Sequence, residues 1–269
     1  MQIIDAVIMG ATQGLSEFLP ISSSGHLILL PWFLNFKDPG LTFDVALHFG
    51  TLLALLAYFY KDWLSLGKAF ISSLSKKRAD YLFDEKMSWY LIFASIPGAI
   101  GGLLLEKAAE TFFRSPLLIA ANLAFWGIVL ALVDHYFWQK RPFNDLRFKD
   151  CLLIGCAQVL ALIPGTSRSG ITITTGRLLQ LDRASAARFS FLLSMPITAG
   201  ACLMKTKKFI AAGPGLIDFA GIVVSAVVGI LAIKYLLQYT RKYSYKIFAY
   251  YRVFIALLIV IGSLYFVKA

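Results

Sequence analysis

Charged residues are scarce in this chain. Asp, Glu, Lys and Arg make up 15% of its 269 residues, whereas soluble domains carry about a quarter. Hydrophobic residues make up 58%, and the mean hydropathy is +0.72. This composition excludes an ordinary soluble domain and predicts an all-α integral membrane protein.

Cysteine and acidic residues are also few, and each scarcity excludes a class of function. The three cysteines are odd in number and lack metal-ligand spacing, so we expect packing residues at Cys151, Cys156 and Cys202. Lys and Arg total 26 against 15 Asp and Glu, a formal net charge of +11. In a membrane protein this excess indicates basic cytoplasmic loops rather than a nucleic-acid surface, so no nucleic-acid partner is expected.

Six apolar stretches are long enough to cross a bilayer as transmembrane helices, which takes roughly 17–25 residues. They cover residues 42–60, 88–105, 115–136, 187–204, 215–239 and 247–267. Two further apolar regions, 3–35 and 148–181, are each interrupted by Pro followed by Ser, Thr and Gly. Because such residues break a helix, we predict two re-entrant broken-helix hairpins whose breaks line an internal cavity.

The two interrupted regions resemble each other, as GATQGLSEFLPISSSG and GCAQVLALIPGTSRSG. At a constant offset, four residues of the first match four of the second: Gly10, Gln13, Leu15 and Gly25 match Gly155, Gln158, Leu160 and Gly170. Three spans follow each region, which predicts one membrane domain made of two repeats, about 1–140 and 147–269. An odd number of crossings separates the copies, so we expect an inverted-topology repeat with its site near the midplane.

Loop charge predicts the orientation in the membrane. One face carries most loop cations: Lys61, Lys68, Lys76, Lys77, Arg78, Lys86, Lys140, Arg141, Arg147, Lys149, Arg241, Lys242 and Lys246. The other carries fewer: Lys37, Lys107, Arg114, Lys205, Lys207 and Lys208. The richer face should be cytoplasmic, so the first interrupted region enters from the outer face. Arg252 is interpreted as a residue that reaches the head groups from the start of the last span. Three further arginines are interpreted as interface residues on the cytoplasmic side: Arg177, Arg183 and Arg188.

The first interrupted region concentrates polar side chains at membrane depth. A carboxylate is costly there, so we expect Glu17 to be functional and to have a partner, with contact to interfacial water as the alternative. Gln13 lies one helical turn before it and, with Ser22, is predicted to help bind a ligand phosphate. The serines after the Pro break are typical N-caps of a half-helix that starts near His26 and offers N–H groups to an anion: Ser22, Ser23 and Ser24. His26 is spaced to act as general base for Ser23 or as acid for a leaving group.

The second interrupted region supplies PGTSRSGIT, residues 164–172. Arg168 lies between two apolar halves, which predicts an anionic partner, either Glu17 in a structural ion pair or a ligand phosphate. Hydroxyls around it would complete an oxyanion cradle at the start of a short helix from about Gly170: Ser167, Ser169 and Thr172. The serine-rich setting on both sides favours the phosphate.

QGLSEFLPISSSGH and PGTSRSGIT resemble the two signature segments of bacterial undecaprenyl-diphosphatases of the bacitracin-resistance type. FDVALHFGTLLAL, FSFLLSMP and AYYRV also resemble family segments, so the resemblance covers nearly the whole chain. It implies a hydrolase of the bacterial plasma membrane that removes the terminal phosphate of undecaprenyl diphosphate and so recycles the lipid carrier of peptidoglycan synthesis. It also implies a site that opens to the outer, periplasmic face.

The resemblance further implies roles for individual residues. Glu17 would hold a divalent ion or position the attacking group, and Ser23 would be the nucleophile, with water activated by His26 as the alternative. His26 would be the acid–base group and Arg168 the phosphate clamp, with further donors from neighbouring hydroxyls: Ser24 and Ser167. Many members have Glu at the position of Gln13, so any Mg²⁺ or Ca²⁺ would rest on Glu17, substrate phosphates and water. His48 could add a contact to the site or bond a neighbouring helix.

Other functions share part of this pattern. A transporter or flippase of a phosphorylated lipid or anion would also have an inverted repeat and broken helices. The spacing of Ser23 and His26 beside Glu17 favours an enzyme, because a carrier needs no acid–base pair. A scaffold protein would not explain Arg and Glu at membrane depth. The expected partners are a polyprenyl diphosphate lipid and the bilayer, and a homo-oligomer is possible.

Overall fold

The computed structural model describes residues 2–34, 36, 39–110, 115–137 and 140–266. Their long elements are helices: α1 (Ile3–Phe18), α2 (Ser23–Leu34), α3 (Leu41–Tyr58), α4 (Tyr60–Ser73), α5 (Phe83–Glu110), α6 (Pro116–Tyr136), α7 (Phe148–Ala157), α8 (Arg168–Leu178), α9 (Arg183–Ala211), α10 (Leu216–Thr240) and α11 (Lys246–Phe266). Short 3₁₀ turns lie at Arg78–Asp80, Phe143–Asp145 and Gln158–Leu162. Lys37, Arg114 and the last residue of the predicted 247–267 span lie outside the described residues.

Five of these helices are long and apolar enough to cross a membrane, within the part of the chain that the structure describes. They contain Phe83–Leu105, Pro116–Tyr136, Arg183–Ala211, Leu216–Thr240 and Lys246–Leu264. The count becomes six if α3 and α4, which meet at 77°, are one bent span. The all-helical membrane class is therefore confirmed. The predicted span 42–60 corresponds to α3, whose direction changes sharply where α4 begins.

Both predicted interruptions separate short helices. α1 ends at Phe18 and α2 begins at Ser23, while the 3₁₀ turn after α7 is followed by a break before α8. The second helix of each pair starts two or three residues earlier than predicted. The reason is that the serine directly before it takes a left-handed backbone, with φ 77° at Ser22 and φ 74° at Ser167, and turns the chain within one residue. Ser167 Oγ then caps α8 by accepting the N–H of Gly170 at 3.1 Å.

Glycines at matched positions let the first helix of each pair pack closely on a distant helix. α1 packs on α10, and α7 packs on α5. A Cβ added to Gly10 would lie 2.7 Å from the Gly221 carbonyl oxygen, and one added to Gly155 would collide with the Ala94 backbone. Only glycine permits these approaches, as is common where membrane helices pack.

The prediction that Arg252 reaches the head groups is wrong. Its side chain is 0% exposed and its guanidinium is bonded to backbone carbonyls inside the protein. Arg177 is also buried, against Asp134, whereas Arg183 is half-buried and Arg188 is exposed. The physical reason is that breaks and ends of helices leave carbonyls without partners, and a guanidinium can supply five donors to them.

The cysteine prediction holds for two of the three residues. Cys151 and Cys202 are buried among the helices, whereas Cys156 is exposed on α7. Cys156 therefore has no packing role inside the protein.

Candidate active site

Glu17, in the last turn of α1, joins the two interrupted regions. Its side chain is 7% exposed. Oε2 accepts hydrogen bonds from Ser23 Oγ at 2.6 Å and from Gln13 Nε2 at 3.2 Å, and Oε1 accepts one from Arg168 Nη2 at 2.8 Å. The structure therefore contains the Glu17–Arg168 ion pair that the sequence offers as one alternative.

A cavity of about 200 Å³ lies beside this ion pair. Its polar lining comes from both interrupted regions and from two of the long helices: Ser16, Glu17, Ser22, Ser23, Ser24, His48, Gln158, Ser167, Arg168 and Thr198. Its apolar lining consists of Gly98, Ala161, Leu162, Ile197 and Ala201. Polar and apolar walls together suit a ligand in which a charged group is joined to a hydrocarbon chain.

The cavity also lies at the start of two helices. Ser23 begins α2 and Arg168 begins α8, and both side chains line the cavity. The first N–H groups of a helix lack intrahelical acceptors and carry a partial positive charge, so two helix starts add to the charge of Arg168. Arg168 is held further by Nη1, which donates to the Ser190 carbonyl at 3.4 Å. This arrangement favours the binding of an anion in the cavity.

Direct hydrogen bonds lock the two breaks together. The N–H of Gly165 donates to Ser22 Oγ at 3.1 Å, and Ser169 Oγ donates to the Leu19 carbonyl at 3.0 Å. Each break thus supplies a serine to the backbone of the other, which fixes the position of Ser23 relative to Arg168.

Arg252 of α11 is bonded to both breaks and does not line the cavity. Nη1 donates to the Pro20 carbonyl at 3.2 Å, and Nη2 donates to the Gly165 and Thr166 carbonyls at 2.8 and 3.0 Å. Nε donates to the Leu123 carbonyl of α6 at 3.0 Å. Sequence reasoning missed this role, although two broken helices leave carbonyls that need a buried donor.

Three residues predicted to bind phosphate lie behind the cavity rather than on it. Gln13 is fully buried and its amide donates to Glu17. The Ser169 hydroxyl is used by Leu19, and Thr172 Oγ1 lies 2.7 Å from the Arg168 carbonyl and 2.7 Å from Ser190 Oγ. These side chains support Glu17 and Arg168, whereas Ser22, Ser24 and Ser167 line the cavity. Phosphate binding by these three serines stays a prediction.

The ring of His26 is directed to Tyr251 of α11. Nδ1 lies 2.7 Å from the Ser22 carbonyl and Nε2 lies 2.7 Å from the Tyr251 hydroxyl, and the two rings stack at 5.6 Å. Because a carbonyl only accepts, Nδ1 carries the proton and a neutral His26 accepts from Tyr251. Both ring nitrogens are therefore engaged away from Ser23, whose hydroxyl bonds to Glu17.

His48 and Gln158 contribute more than the sequence indicates. His48 Nε2 lies 3.9 Å from Glu17 Oε2, and its Nδ1 lies 2.8 Å from the Asp44 carbonyl. Gln158 is buried, lines the cavity and donates from Nε2 to the Ala94 carbonyl at 2.8 Å. In the sequence, the match of Gln158 to Gln13 in the repeat is the only feature that indicates a place for Gln158 near the site.

The donor atoms do not fit a metal ion held by the protein alone. Among the described residues there is no group of three His, Cys, Asp or Glu side chains that could hold an ion. Both Glu17 oxygens are already bonded, to Arg168 and to Ser23 with Gln13. Mg²⁺ usually needs one or two carboxylates with substrate phosphates and water.

The fold and the cavity define a class: a helical membrane protein with a buried hydroxyl–carboxylate–guanidinium site suited to a phosphate-bearing ligand. Comparison with known proteins agrees with this class. The model of the family described as "Bacitracin resistance protein BacA" matches residues 6–258. The chain belongs to this family.

Three relatives of the chain share the name undecaprenyl-diphosphatase. The protein of Moorella thermoacetica is 52% identical over 260 residues, which cover 97% of this chain and 97% of that protein. The protein of Gemmatimonas aurantiaca is 48% identical over 96% of this chain and 97% of its own, and that of Desulforudis audaxviator is 47% identical over 98% and 99%. The resemblance stated from the sequence is therefore confirmed.

Proposed function

We propose that this chain hydrolyses undecaprenyl diphosphate to undecaprenyl phosphate and inorganic phosphate in the bacterial plasma membrane. The observation that carries the proposal is the contact of Ser23 Oγ with Glu17 Oε2 at 2.6 Å, with Arg168 bonded to the other oxygen of the same carboxylate. Family membership and the names of the relatives support the substrate. A transporter would need the anion site but not the serine–carboxylate contact.

In the first step, Ser23 Oγ attacks the terminal phosphorus and Glu17 accepts the hydroxyl proton. The bond from that phosphorus to the bridging oxygen breaks, and undecaprenyl phosphate leaves with the electron pair. Arg168 and the starts of α2 and α8 stabilise the charge on the non-bridging oxygens. Phosphoryl transfer depends mainly on such positioning and charge stabilisation, and the geometry supplies both.

Binding of the substrate would exchange partners at Arg168. The guanidinium bonded to Glu17 can form a bidentate pair with a phosphate instead. Its transfer to the phosphate leaves Glu17 free to take the proton of Ser23. The two alternatives that the sequence offers for Arg168 thus become two stages of one reaction.

Glu17 then gives the proton of Ser23 to the departing undecaprenyl phosphate and is again a carboxylate. In the second step, water attacks the phosphoserine and Glu17 takes a water proton. Glu17 passes that proton to Ser23 Oγ as the serine–phosphorus bond breaks and inorganic phosphate leaves. Direct attack by water, with Ser23 as a donor, is the alternative. The acid–base role of His26 stays a prediction. Its bonds to Ser22 and Tyr251 support a role in holding the start of α2.

The requirement for a divalent ion, Mg²⁺ or Ca²⁺, also stays a prediction. Because the protein donors do not fit an ion by themselves, any such ion would be carried mainly by the diphosphate oxygens of the substrate. The steps above use only the residues of the chain.

The fold proposal has six spans, two re-entrant hairpins and two inverted repeats, about 1–140 and 147–269. It is supported by helix packing between the two halves. α1 of the first half packs on α10 of the second, and in the same way α7 of the second half packs on α5 of the first. Two further pairs join the halves: α3 with α9, and α6 with α11. A two-fold relation would produce these pairs. With the basic loops in the cytoplasm, the cavity would open to the outer face. Homo-oligomerisation stays a prediction.

The test is phosphate release from undecaprenyl diphosphate by the detergent-purified protein, with Ser23→Ala, Glu17→Gln and Arg168→Ala beside it. We expect release by the parent and a loss of at least about a hundredfold in each variant. Thr206→Val, which removes a hydroxyl bonded to the Cys202 carbonyl of its own helix, is the matched control. Binding of the lipid without release by the parent protein would favour the transporter.

A further inference from the structure

A second cavity, of about 460 Å³, lies at the other end of α8 from Arg168. There α6, α8 and α10 end and α9 begins. Its lining consists of Asp134, Lys140, Arg177, Asp182, Arg183, Ala184, Thr240 and Arg241. It shares no lining residue with the Glu17 cavity. α8 has 11 residues, so the two cavities are separated by about 16 Å at the usual helical rise.

The two carboxylates of this cavity are already occupied. Asp134 accepts hydrogen bonds from Arg177 Nε at 3.1 Å, from Arg183 Nε at 2.7 Å and from the N–H of Tyr245 at 3.0 Å. Asp182 caps α9 and accepts from the N–H and the hydroxyl of Ser185 at 2.8 and 2.7 Å. Asp134 is thus paired with Arg177 and Arg183 and Asp182 is bonded to Ser185, and within the described part of the chain neither acid forms an ion pair with Lys140 or Arg241.

Two exposed cations of the lining have no acidic partner in the described part of the chain. Lys140 and Arg241 form no ion pair there. Arg183 bonds to Asp134 through Nε, so its two terminal nitrogens can donate to a ligand. Four cations against two acids give the cavity an excess of two positive charges. Arg177 and Arg183 bind Asp134, whereas Lys140 and Arg241 form no ion pair with the residues that the structure describes.

Exposed tyrosines place the cavity at the level of the lipid head groups. Tyr136 is 71% exposed and Tyr243 is 58% exposed, and each lies two residues from a residue of the lining. Tyrosine collects at membrane–water interfaces. Basic pockets between helix ends at such an interface bind lipids with anionic head groups.

We propose that this cavity is a binding site for the phosphates of an anionic lipid head group, held by Lys140, Arg183 and Arg241. The excess of two charges matches a head group with two phosphates, as in cardiolipin, better than a zwitterionic one. The site is independent of the proposed phosphatase reaction, because it shares no residue with the Glu17 cavity.

The test is lipid binding by the full-length purified protein, measured by native mass spectrometry and by the shift in thermal unfolding. The probes are cardiolipin, phosphatidylcholine and inorganic phosphate. We expect cardiolipin to bind and stabilise the parent. The double variant Lys140→Gln/Arg241→Gln should bind it about thirtyfold more weakly, since each surface cation contributes about one factor of five.

The matched control is Lys68→Gln/Lys149→Gln, which removes two exposed cations outside the lining and away in sequence from its residues. It should change cardiolipin affinity less than about twofold. Equal cardiolipin binding by the parent and the Lys140→Gln/Arg241→Gln variant would overturn the proposal. So would stabilisation by inorganic phosphate with no preference for cardiolipin over phosphatidylcholine.

Discussion

The two interrupted regions have the same local geometry and opposite charge. Each has a serine with positive φ directly before a short helix, at Ser22 and Ser167. The first then supplies a nucleophile candidate beside a carboxylate, whereas the second supplies Arg168 in the position that matches Ser23. The same backbone turn, used in both regions, therefore brings a base and a cation to the same cavity. The chemistry depends on the side chains that differ.

The largest effect is expected from Glu17→Gln. This change keeps the shape of the side chain and an oxygen that can accept a hydrogen bond, but it removes the base that takes the Ser23 proton and the charge that faces Arg168. We expect kcat to fall about a thousandfold, within the usual range for a lost general base. The fall in kcat is measured from phosphate release by the purified variant. The control is its thermal unfolding, which should stay cooperative; activity within tenfold of the parent would contradict the proposed base.

Arg252→Met tests the bond between the two breaks. The change leaves buried carbonyls of both breaks without donors, and each such group costs about 1–3 kcal/mol. We expect a clear fall in the thermal unfolding temperature in detergent, with activity reduced by at least tenfold.

Arg252→Lys separates charge from geometry, since it keeps the charge but offers only three donors from one atom. It should fall between the parent and Arg252→Met in both measurements. An Arg252→Met protein as stable and active as the parent would show that the breaks hold together without it.

A smaller effect is expected from Ser169→Ala, which removes the hydroxyl that bonds the second break to the Leu19 carbonyl. One lost hydrogen bond of this kind is worth about 1 kcal/mol. We expect a loss of stability of that size and a severalfold fall in kcat with KM unchanged, because Ser169 does not line the cavity. Steady-state kinetics provide the check, and a large rise in KM would instead place Ser169 on the substrate.

The smallest effect on rate is expected from Gln13→Glu, compared with Gln158→Glu at the matched position. Gln13→Glu adds a second carboxylate beside Glu17 and should make phosphate release more sensitive to EDTA. Gln158 donates to the Ala94 carbonyl and, unlike Gln13, forms no hydrogen bond with Glu17 among the described residues, so Gln158→Glu should lower stability and change EDTA sensitivity less than Gln13→Glu does. Equal responses to EDTA in both variants would remove the link between position 13 and a metal.

The sequence predicts the helical class, the interruptions and most of the site, because these depend on local composition. Runs of apolar residues mark spans, and Pro with Ser and Gly marks breaks. Glu17, Ser23 and Arg168 stand out because polar groups at membrane depth need a partner. Their meeting in one cavity follows from the matched segments.

The contacts that the sequence does not predict are those between residues far apart in the chain. Arg252 resembles a snorkelling residue at the start of a span until its carbonyl partners, more than 80 positions away in sequence, are known. His26 is spaced as a base for Ser23, yet α11 brings Tyr251 to its ring. Thr172 and Ser169 have the right chemistry for phosphate, but the helix and the opposite break use their hydroxyls. Periodicity and spacing carry no information on such contacts.

The most direct test of Ser23 as the nucleophile is to trap the phosphoryl group on it. Undecaprenyl diphosphate labelled in its terminal phosphate is mixed with the purified protein, the reaction is quenched in acid within milliseconds, and the labelled peptide is identified by mass spectrometry. Attack by Ser23 with Glu17 as base predicts label on Ser23 in the parent and none in Ser23→Ala, which should also be inactive. Full activity of Ser23→Ala would contradict the account.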